Sequence, residues 1–247
     1  MRTANGGLSA RFTGKDDPAR RTGATENMQE RAEVTRRAVL ATAAVLFEQH
    51  GYVGTSISDV ARTSGYTSGA IYFHFGSKEG LARGVLEAHF AEWPRYVEHW
   101  ESQDAPVLDR LVGLSLAVAR EFRDNVIVRA GNRLWSERRT IPVSLPRPFV
   151  GWIDATARML TAATQAGELA PGVDVDRAAR VLVSSFFGVH TVSDALDDRR
   201  NIEDAVSDLW MMLLPGFQAA PVDPAKCLVG ARKLLAATRG RPAPSMK

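Results

Sequence analysis

The sequence predicts an all-α protein built from a small N-terminal three-helix module and a larger C-terminal helical domain. Two observations carry this expectation. Apolar residues recur at three- and four-residue intervals in the long segments between Glu30 and Thr238, and no convincing strand pattern interrupts them. Glycine and proline clusters fall between those segments, where chain reversals are needed. The expected divisions are a disordered tail over 1–29, the three-helix module over 30–77, the larger helical domain over 78–238 and a flexible tail over 239–247.

Residues 1–29 hold Gly6, Gly7, Gly14 and Gly23, the basic side chains Arg2, Arg11, Lys15, Arg20 and Arg21, and almost no large apolar residues. Such a composition has too little to bury to offset the entropy of ordering. It reads as an arm that tracks phosphates, as a solvated tail, or as the product of a start upstream of Met28. From Glu30 to His50 the positions Leu40, Ala43, Ala44 and Phe47 form a helical stripe, with Arg31, Arg36 and Arg37 clustered toward its start. Cations there oppose the helix dipole and are better explained by a nearby phosphate.

Residues 55–81 are the most informative stretch. Ser56 can cap a short helix, with Asp59 at capping-box spacing and Ile57, Val60 and Ala61 on one apolar face. Gly65 stands where a left-handed residue would end that helix, and Thr67 or Ser68 can cap the next. In the second helix Ala70, Ile71 and Phe73 supply apolar contacts. Thr67, Ser68, Tyr72 and His74 leave polar groups suited to phosphates and base edges. The result is a helix-turn-helix that reads DNA.

A helix from Lys78 to about Glu98 follows, with Leu81, Val85, Leu86, His89 and Phe90 inward and a kink at Pro94; it links the two domains as a lever. Further helices are expected over Leu108–Arg123, Val126–Arg138, Phe149–Ala166, Val175–Leu196, Ile202–Phe217 and Pro224–Thr238. Pro142, Pro146 and Pro148 make Thr140–Pro148 a loop. Trp135, Phe149, Trp152, Phe186 and Phe187 concentrate in three consecutive helices, with His190 one turn beyond Phe186. The small residues Gly131, Gly151, Ser184, Ser185 and Gly188 lie among these rings, so the set forms either a pocket between helices or a packed aromatic core. His190, Arg129, Thr191 and Ser185 are its candidate polar anchors, and a lone His facing a core can equally be a satisfied core residue. Val181, Leu182, Val206, Leu209, Trp210, Leu213 and Phe217 make a stripe for pairing two chains or for packing within one. Asp194, Asp197 and Asp198 most simply end a helix in solvent.

Composition narrows the function classes. Net charge is only +3, so nucleic-acid binding must come from local basic clusters. The single cysteine, Cys227, excludes an intramolecular disulfide, and no run of ~20 apolar residues suggests a membrane span. A cytoplasmic protein without membrane association is expected. No Gly-rich phosphate loop, nucleophile elbow, HExxH helix or paired-cysteine spacing is present, and His50, His74, His89, His99 and His190 are scattered. Neither an enzyme nor a cofactor or metal site is expected; a constitutive DNA-binding or protein-interaction module is the other class.

The motifs Gly51-Tyr52, Ser56, Ile57, Val60, Ala61, Gly65, Gly69, Ile71-Tyr72-Phe73-His74-Phe75, and Lys78, Glu79 and Leu81 resemble the tetracycline-repressor family of one-component regulators. This implies a homodimer that reads a near-palindromic double-stranded operator. Thr67, Ser68 and Tyr72 would sit in the major groove, with His74, Lys78 and Arg36 near phosphates. Family members often carry Lys at the position of Ser68, so a phosphate contact there is weaker or displaced.

The run Val128-Arg129-Ala130-Gly131-Asn132-Arg133-Leu134, then Leu145-Pro146-Arg147-Pro148-Phe149 and Trp152, resembles the γ-butyrolactone autoregulator receptors, including the furan-type receptors. That likeness implies a dimeric repressor of antibiotic-production genes, released from its operator by a small hydrophobic effector. Trp152 would pack against the effector, and Phe90, Trp135 and Phe149 would line the cavity with it, joined by Phe186 and His190. Furan-type receptors can carry hydrogen-bonding side chains where this chain has Phe90, Trp135 and Phe149. The difference implies another ligand, such as an antibiotic-like molecule, or a pseudo-receptor without a butyrolactone response.

Overall fold

The computed structural model describes residues 18–91, 93–142 and 148–238, and within them eleven α-helices, one 3-10 turn and an isolated antiparallel bridge between Leu169 and Gln218. Expectations for Arg2, Arg11 and Lys15, for Leu145, Pro146 and Arg147, and for the 239–247 tail lie outside the described residues.

Helix α1 (Pro18–Gly54) starts well inside the expected 1–29 tail. Proline is pre-organised for a first helical position, and each added residue of a formed helix gains a hydrogen bond, so helix formers such as Ala19, Arg20, Arg21, Ala24 and Glu26 offset the weaker Thr22, Gly23, Thr25 and Asn27 among them. The helix breaks at Gly51, whose φ of 70° and ψ of −177° suit only glycine.

Helices α2 (Ile57–Ser64) and α3 (Ser68–Phe75) follow with the caps their sequence demands. Ser56 Oγ accepts from the Asp59 amide at 3.1 Å, Gly65 ends α2 at φ 75°, and Thr67 Oγ1 accepts from the Ala70 amide at 3.1 Å. Phe73 corrects the sequence reading: it is 82% exposed, not packed inward. A short helix buries one stripe, here Ile71 and half-buried Phe75 four residues on, and a residue midway between them faces away.

Helices α4 (Lys78–Ala91) and α5 (Trp93–Glu101) cover the segment expected as one kinked helix to Glu98, and residue 92 between them lies outside the described residues. Helices α6 (Val107–Asp124), α7 (Val126–Ser136), α8 (Pro148–Gln165), α9 (Val175–Asp197), α10 (Ile202–Leu213) and α11 (Pro224–Thr238) complete the chain, with a 3-10 turn over Leu214–Gly216.

Two hydrophobic cores result. One joins α5, α6 and α8–α11 around Trp100, Leu116, Leu160 and Trp210. The other joins α1–α4, and it includes Ile127, Ala130 and Leu134 of α7 and Ile141 beyond it. The packing therefore crosses the boundary drawn at residue 78. Gly131 permits the crossing, because a Cβ there would run into the His89 side chain of α4.

The pairing stripe also divides. Leu182, Val206, Trp210 and Phe217 are buried within the chain, since α10 packs on α6 and Trp210 Nε1 donates to Ser115 Oγ at 2.7 Å. Val181 of that stripe stays exposed, and the other exposed large apolar side chains on α9 and α10 are Val192, Leu196, Met211 and Met212. Among the described residues no helix is long and apolar enough to cross a membrane.

Candidate functional site

Around α3 the exposed groups are Thr67, Tyr72 and Phe73, with Ser68 and His74 half-buried. The His74 ring stands edge-on to Phe73 at 5.2 Å. Arg36 places its guanidinium 5.6 Å from the Phe75 ring at the end of α3. Lys78 Nζ sits 4.3 Å from the centre of the Tyr52 ring and donates to the Val53 carbonyl at 3.4 Å. Tyr52 in turn donates its hydroxyl to Glu79 at 2.8 Å, and burial together with the Glu79 carboxylate pushes that phenol up to about 12. Both cations are thus tethered to rings at the ends of the helix-turn-helix, which leaves Tyr72 and Phe73 as its outward face. Because its oxygen caps α3, Thr67 keeps its hydroxyl proton and one lone pair for another partner.

The second candidate site is a narrow inner cavity lined by His89, Phe90, Trp93, Phe122, Asn132, Trp135, Phe149, Trp152 and Phe187, with about 10 Å³ free, so a ligand larger than a water enters only as these side chains part. Four residues singled out in the sequence, Phe90, Trp135, Phe149 and Trp152, meet here. Trp135 and Phe149 pack edge to face at 6.2 Å, and Trp93 lies 5.4 Å from Trp152. His89, Trp93, Phe122 and Asn132 were not foreseen as lining. Asn132 sits in the run that carries the receptor resemblance, the one sequence signal that pointed toward it. Phe186 lines a different space of about 60 Å³ between α6, α8, α9 and α10, which also meets Trp152, Thr156 and Phe187. Trp152 further borders a surface groove along α5 with Phe90, Trp93 and Arg158. One indole therefore stands between three spaces.

His190 is not among the residues lining these three spaces. It is 1% exposed, lies 4.1 Å from the Phe122 ring, and accepts from Arg199 Nε at its Nδ1, 3.1 Å away. Arg199 always donates, so the neutral imidazole carries its proton on Nε2, which is buried without a partner. The sequence reading of His190 as a ligand contact gives way to a core role. The aspartates beyond it are correspondingly engaged: Asp194 pairs with Arg199 at 2.8 Å, and Asp197 accepts from Ser193 Oγ and the Asn201 amide, both at 3.1 Å. Arg129 is tied to Glu48 at 3.1 Å and Thr191 to the Phe187 carbonyl at 2.8 Å, away from the inner cavity.

Two polar atoms in the inner cavity wall, His89 Nδ1 and Trp93 Nε1, are buried with no partner. Each unpaired group costs about 1–3 kcal/mol. Burial holds the His89 imidazole neutral, pushed down to about 4; burial and then the Arg199 charge push His190 down to about 3. The unfolded chain regains ordinary imidazoles near ~6.5, so below that pH it binds more protons than the folded one. Stability is therefore full above about pH 6.5 and falls as pH drops toward 4, with His89 accounting for about 3 kcal/mol. Thermal unfolding between pH 7 and 4.5 should show this loss, and a His89→Gln variant should show less of it.

Helix α7 connects the cavity to the helix-turn-helix. Its Asn132 and Trp135 line the cavity. Its Arg133 donates to the Glu48 carbonyl at 2.6 Å and to Glu137 at 3.1 Å, and Glu137 accepts from the Tyr52 amide at 2.6 Å, just past the Gly51 break.

Comparison with known proteins gives concordant matches. Residues 39–85 match the model of bacterial regulatory proteins of the tetR family, and residues 105–219 match a tetracyclin repressor-like C-terminal domain. The chain is 37% identical over 189 residues to the A-factor receptor protein of Streptomyces griseus, a match spanning 76% of this chain and 66% of that protein's length. A solved structure described as the molecular basis for control of antibiotic production by bacterial hormones is 40% identical, with a TM-score of 0.70 over 75% of this chain and 98% of its own. A γ-butyrolactone receptor described as ArpA-like is 30% identical, with a TM-score of 0.70 over 84% of this chain and 100% of its own. The protein CprB from Streptomyces coelicolor, in complex with its biological operator sequence, is 29% identical, with a TM-score of 0.71 over 83% of this chain and 98% of its own.

Proposed function

The chain belongs to the TetR family of bacterial regulatory proteins, and from that premise we propose that it is a homodimeric, ligand-responsive repressor of antibiotic or other secondary-metabolite genes. The observation that carries this reading is α7, which lines an aromatic cavity on one side and grips the end of α1 on the other. Likeness to an A-factor receptor and to a γ-butyrolactone receptor supports a small hydrophobic effector. The family members it resembles are regulators, and no enzymatic reading has comparable support.

The exposed side chains of α9 and α10 suit pairing with a second copy, since large apolar groups in solvent mark an interface. A twofold dimer sets two α3 helices about 34–36 Å apart, or a multiple of it, and so demands a near-palindromic operator. Tyr72, Thr67 and Ser68 then face bases, and Arg36, His74 and Lys78 the phosphates. DNA as target places the protein in the cytoplasm. Replacing Lys78 by Ala should weaken binding to every duplex alike and reduce the salt slope by about one; an unchanged slope would take Lys78 out of the interface.

Effector binding acts only by favouring one dimer geometry over another. The α4–α5 joint and α7 both border the inner cavity, through Phe90, Trp93 and Trp135. Filling the cavity would tilt α4 and α7 together and alter the spacing of the α3 helices. The absence of hydroxyl or amide groups at Phe90, Trp135 and Phe149 favours an effector other than a furan carboxylate, as in a pseudo-receptor. Anisotropy titration against DNA upstream of its own gene, repeated with butyrolactones, furans and the antibiotics of neighbouring genes, tests the whole. Release by one compound names the effector class, and binding that nothing reverses favours a constitutive regulator.

A further inference from the structure

The inner cavity is walled mainly by aromatic rings, and the last turn of α4 and the first of α5 each bring a polar ring nitrogen to it. There His89 and Trp93 stand edge to face at 5.5 Å, each with a ring nitrogen shielded from solvent and unpaired. Both residues are more than nine-tenths buried, and both line the cavity. Gly131 is what lets α7 close over His89, so the imidazole is held against the cavity and not free to swing toward water. The remaining described wall is six aromatic rings and the Asn132 amide, with no Lys, Arg, Asp or Glu among the described lining residues.

We infer that Trp93 Nε1 and His89 Nδ1 are the specificity-determining polar end of this cavity and hold the carbonyl or hydroxyl oxygen of an uncharged, flat, ring-bearing effector. The inference rests on the reading of the inner cavity as the effector site and adds which ligand chemistry it accepts. An indole N–H can only donate, so the ligand must present an acceptor to Trp93. The imidazole has a donor or acceptor to offer at Nδ1 according to its tautomer, so the same oxygen can be a ketone, a lactone carbonyl or a phenol. A carboxylate is refused because burying a charge demands an opposite charge, and none of the described lining residues carries one. Flatness follows from the walls, where rings already meet edge to face and a further planar group completes the pattern.

Three matched probes test this by calorimetry on the full dimer: 2-acetylnaphthalene, 2-ethylnaphthalene and 2-naphthoate. The ketone is expected to bind about tenfold more tightly than the hydrocarbon, the worth of a hydrogen bond to a waiting donor, and the carboxylate more weakly than either. Trp93→Phe and His89→Leu should bring the ratio of ketone to hydrocarbon affinity from about ten to about one, a ratio read within each variant so that any change in the wall common to both probes cancels. Equal affinity for ketone and hydrocarbon on the unaltered protein, or tighter binding of naphthoate, overturns the assignment, and this comparison needs no variant to fold. A Trp135→Ala control separates the two levels. If probe affinity responds to Trp135 but not to Trp93 or His89, the cavity stands and its polar end does not; if it responds to none of them, or no probe binds, the cavity reading itself fails.

Discussion

A Val192→Glu, Leu196→Glu variant is expected to run as a folded monomer and to bind a two-half-site operator roughly a hundredfold more weakly than the unaltered protein. Both side chains stand in solvent, 57% and 80% exposed, on a face of α9 that also carries Val181 and Gly188 at helical spacing. Placing carboxylates at exposed positions changes the stability of a single chain by only about 0.5 kcal/mol. Brought against their symmetry mates, four buried like charges would prevent pairing. Each α3 would then bind its half-site alone, without the high effective concentration that the first contact confers on the second. Light scattering gives the oligomeric state, and anisotropy on single and double half-sites gives the affinities. A variant that stays dimeric with unchanged affinity would move the pairing surface elsewhere on the molecule.

Phe122→Ala should cost about 3–5 kcal/mol, the usual range for deleting a buried phenyl ring, and lower the melting temperature by roughly 6–20 °C. Phe122 is 2% exposed and stands at the hub of the aromatic cluster, with its ring centre 4.1 Å from His190, 6.0 Å from Phe187, 6.2 Å from Phe186 and 6.3 Å from Trp93. It belongs to the core of α5, α6 and α8–α11, so operator binding should survive wherever the variant remains folded. Scanning calorimetry measures the loss, and a cost under about 1 kcal/mol would mean that neighbouring rings collapse into the space.

The parts legible in the sequence are those whose physics is local. Ser56, Gly65 and Thr67 fix the helix-turn-helix through capping bonds that span three or four residues, and the structure has each bond in place. Helices α6–α11 follow the apolar periodicity to within a few residues. Phe73 misled because a bulky ring in an eight-residue helix fits the period of either face, and only the packing of Ile71 and Phe75 on α1 and α4 decides between them. Cavity residues on α7 and α8 were accessible through resemblance. The unpaired atoms of His89 and Trp93, by contrast, are properties of what fails to surround them in three dimensions. The Glu137–Tyr52 bond, which joins residues 85 apart in sequence, likewise leaves no trace in either local pattern.

The shared core of α7 sets a rule for building hybrid sensors from this protein. A designer who wishes to keep this operator while importing another effector domain would naturally cut the chain at residue 78. That cut leaves Val39 and Phe47 facing foreign helices in place of Leu86, Ile127, Ala130 and Leu134, and strips the Tyr52 amide of its carboxylate. A graft that retains α4 and residues 126–141 with the DNA-reading part, and exchanges α5, α6 and α8–α11, keeps that interface native and moves the seam to the aromatic rings, where a new ligand has to be accommodated anyway.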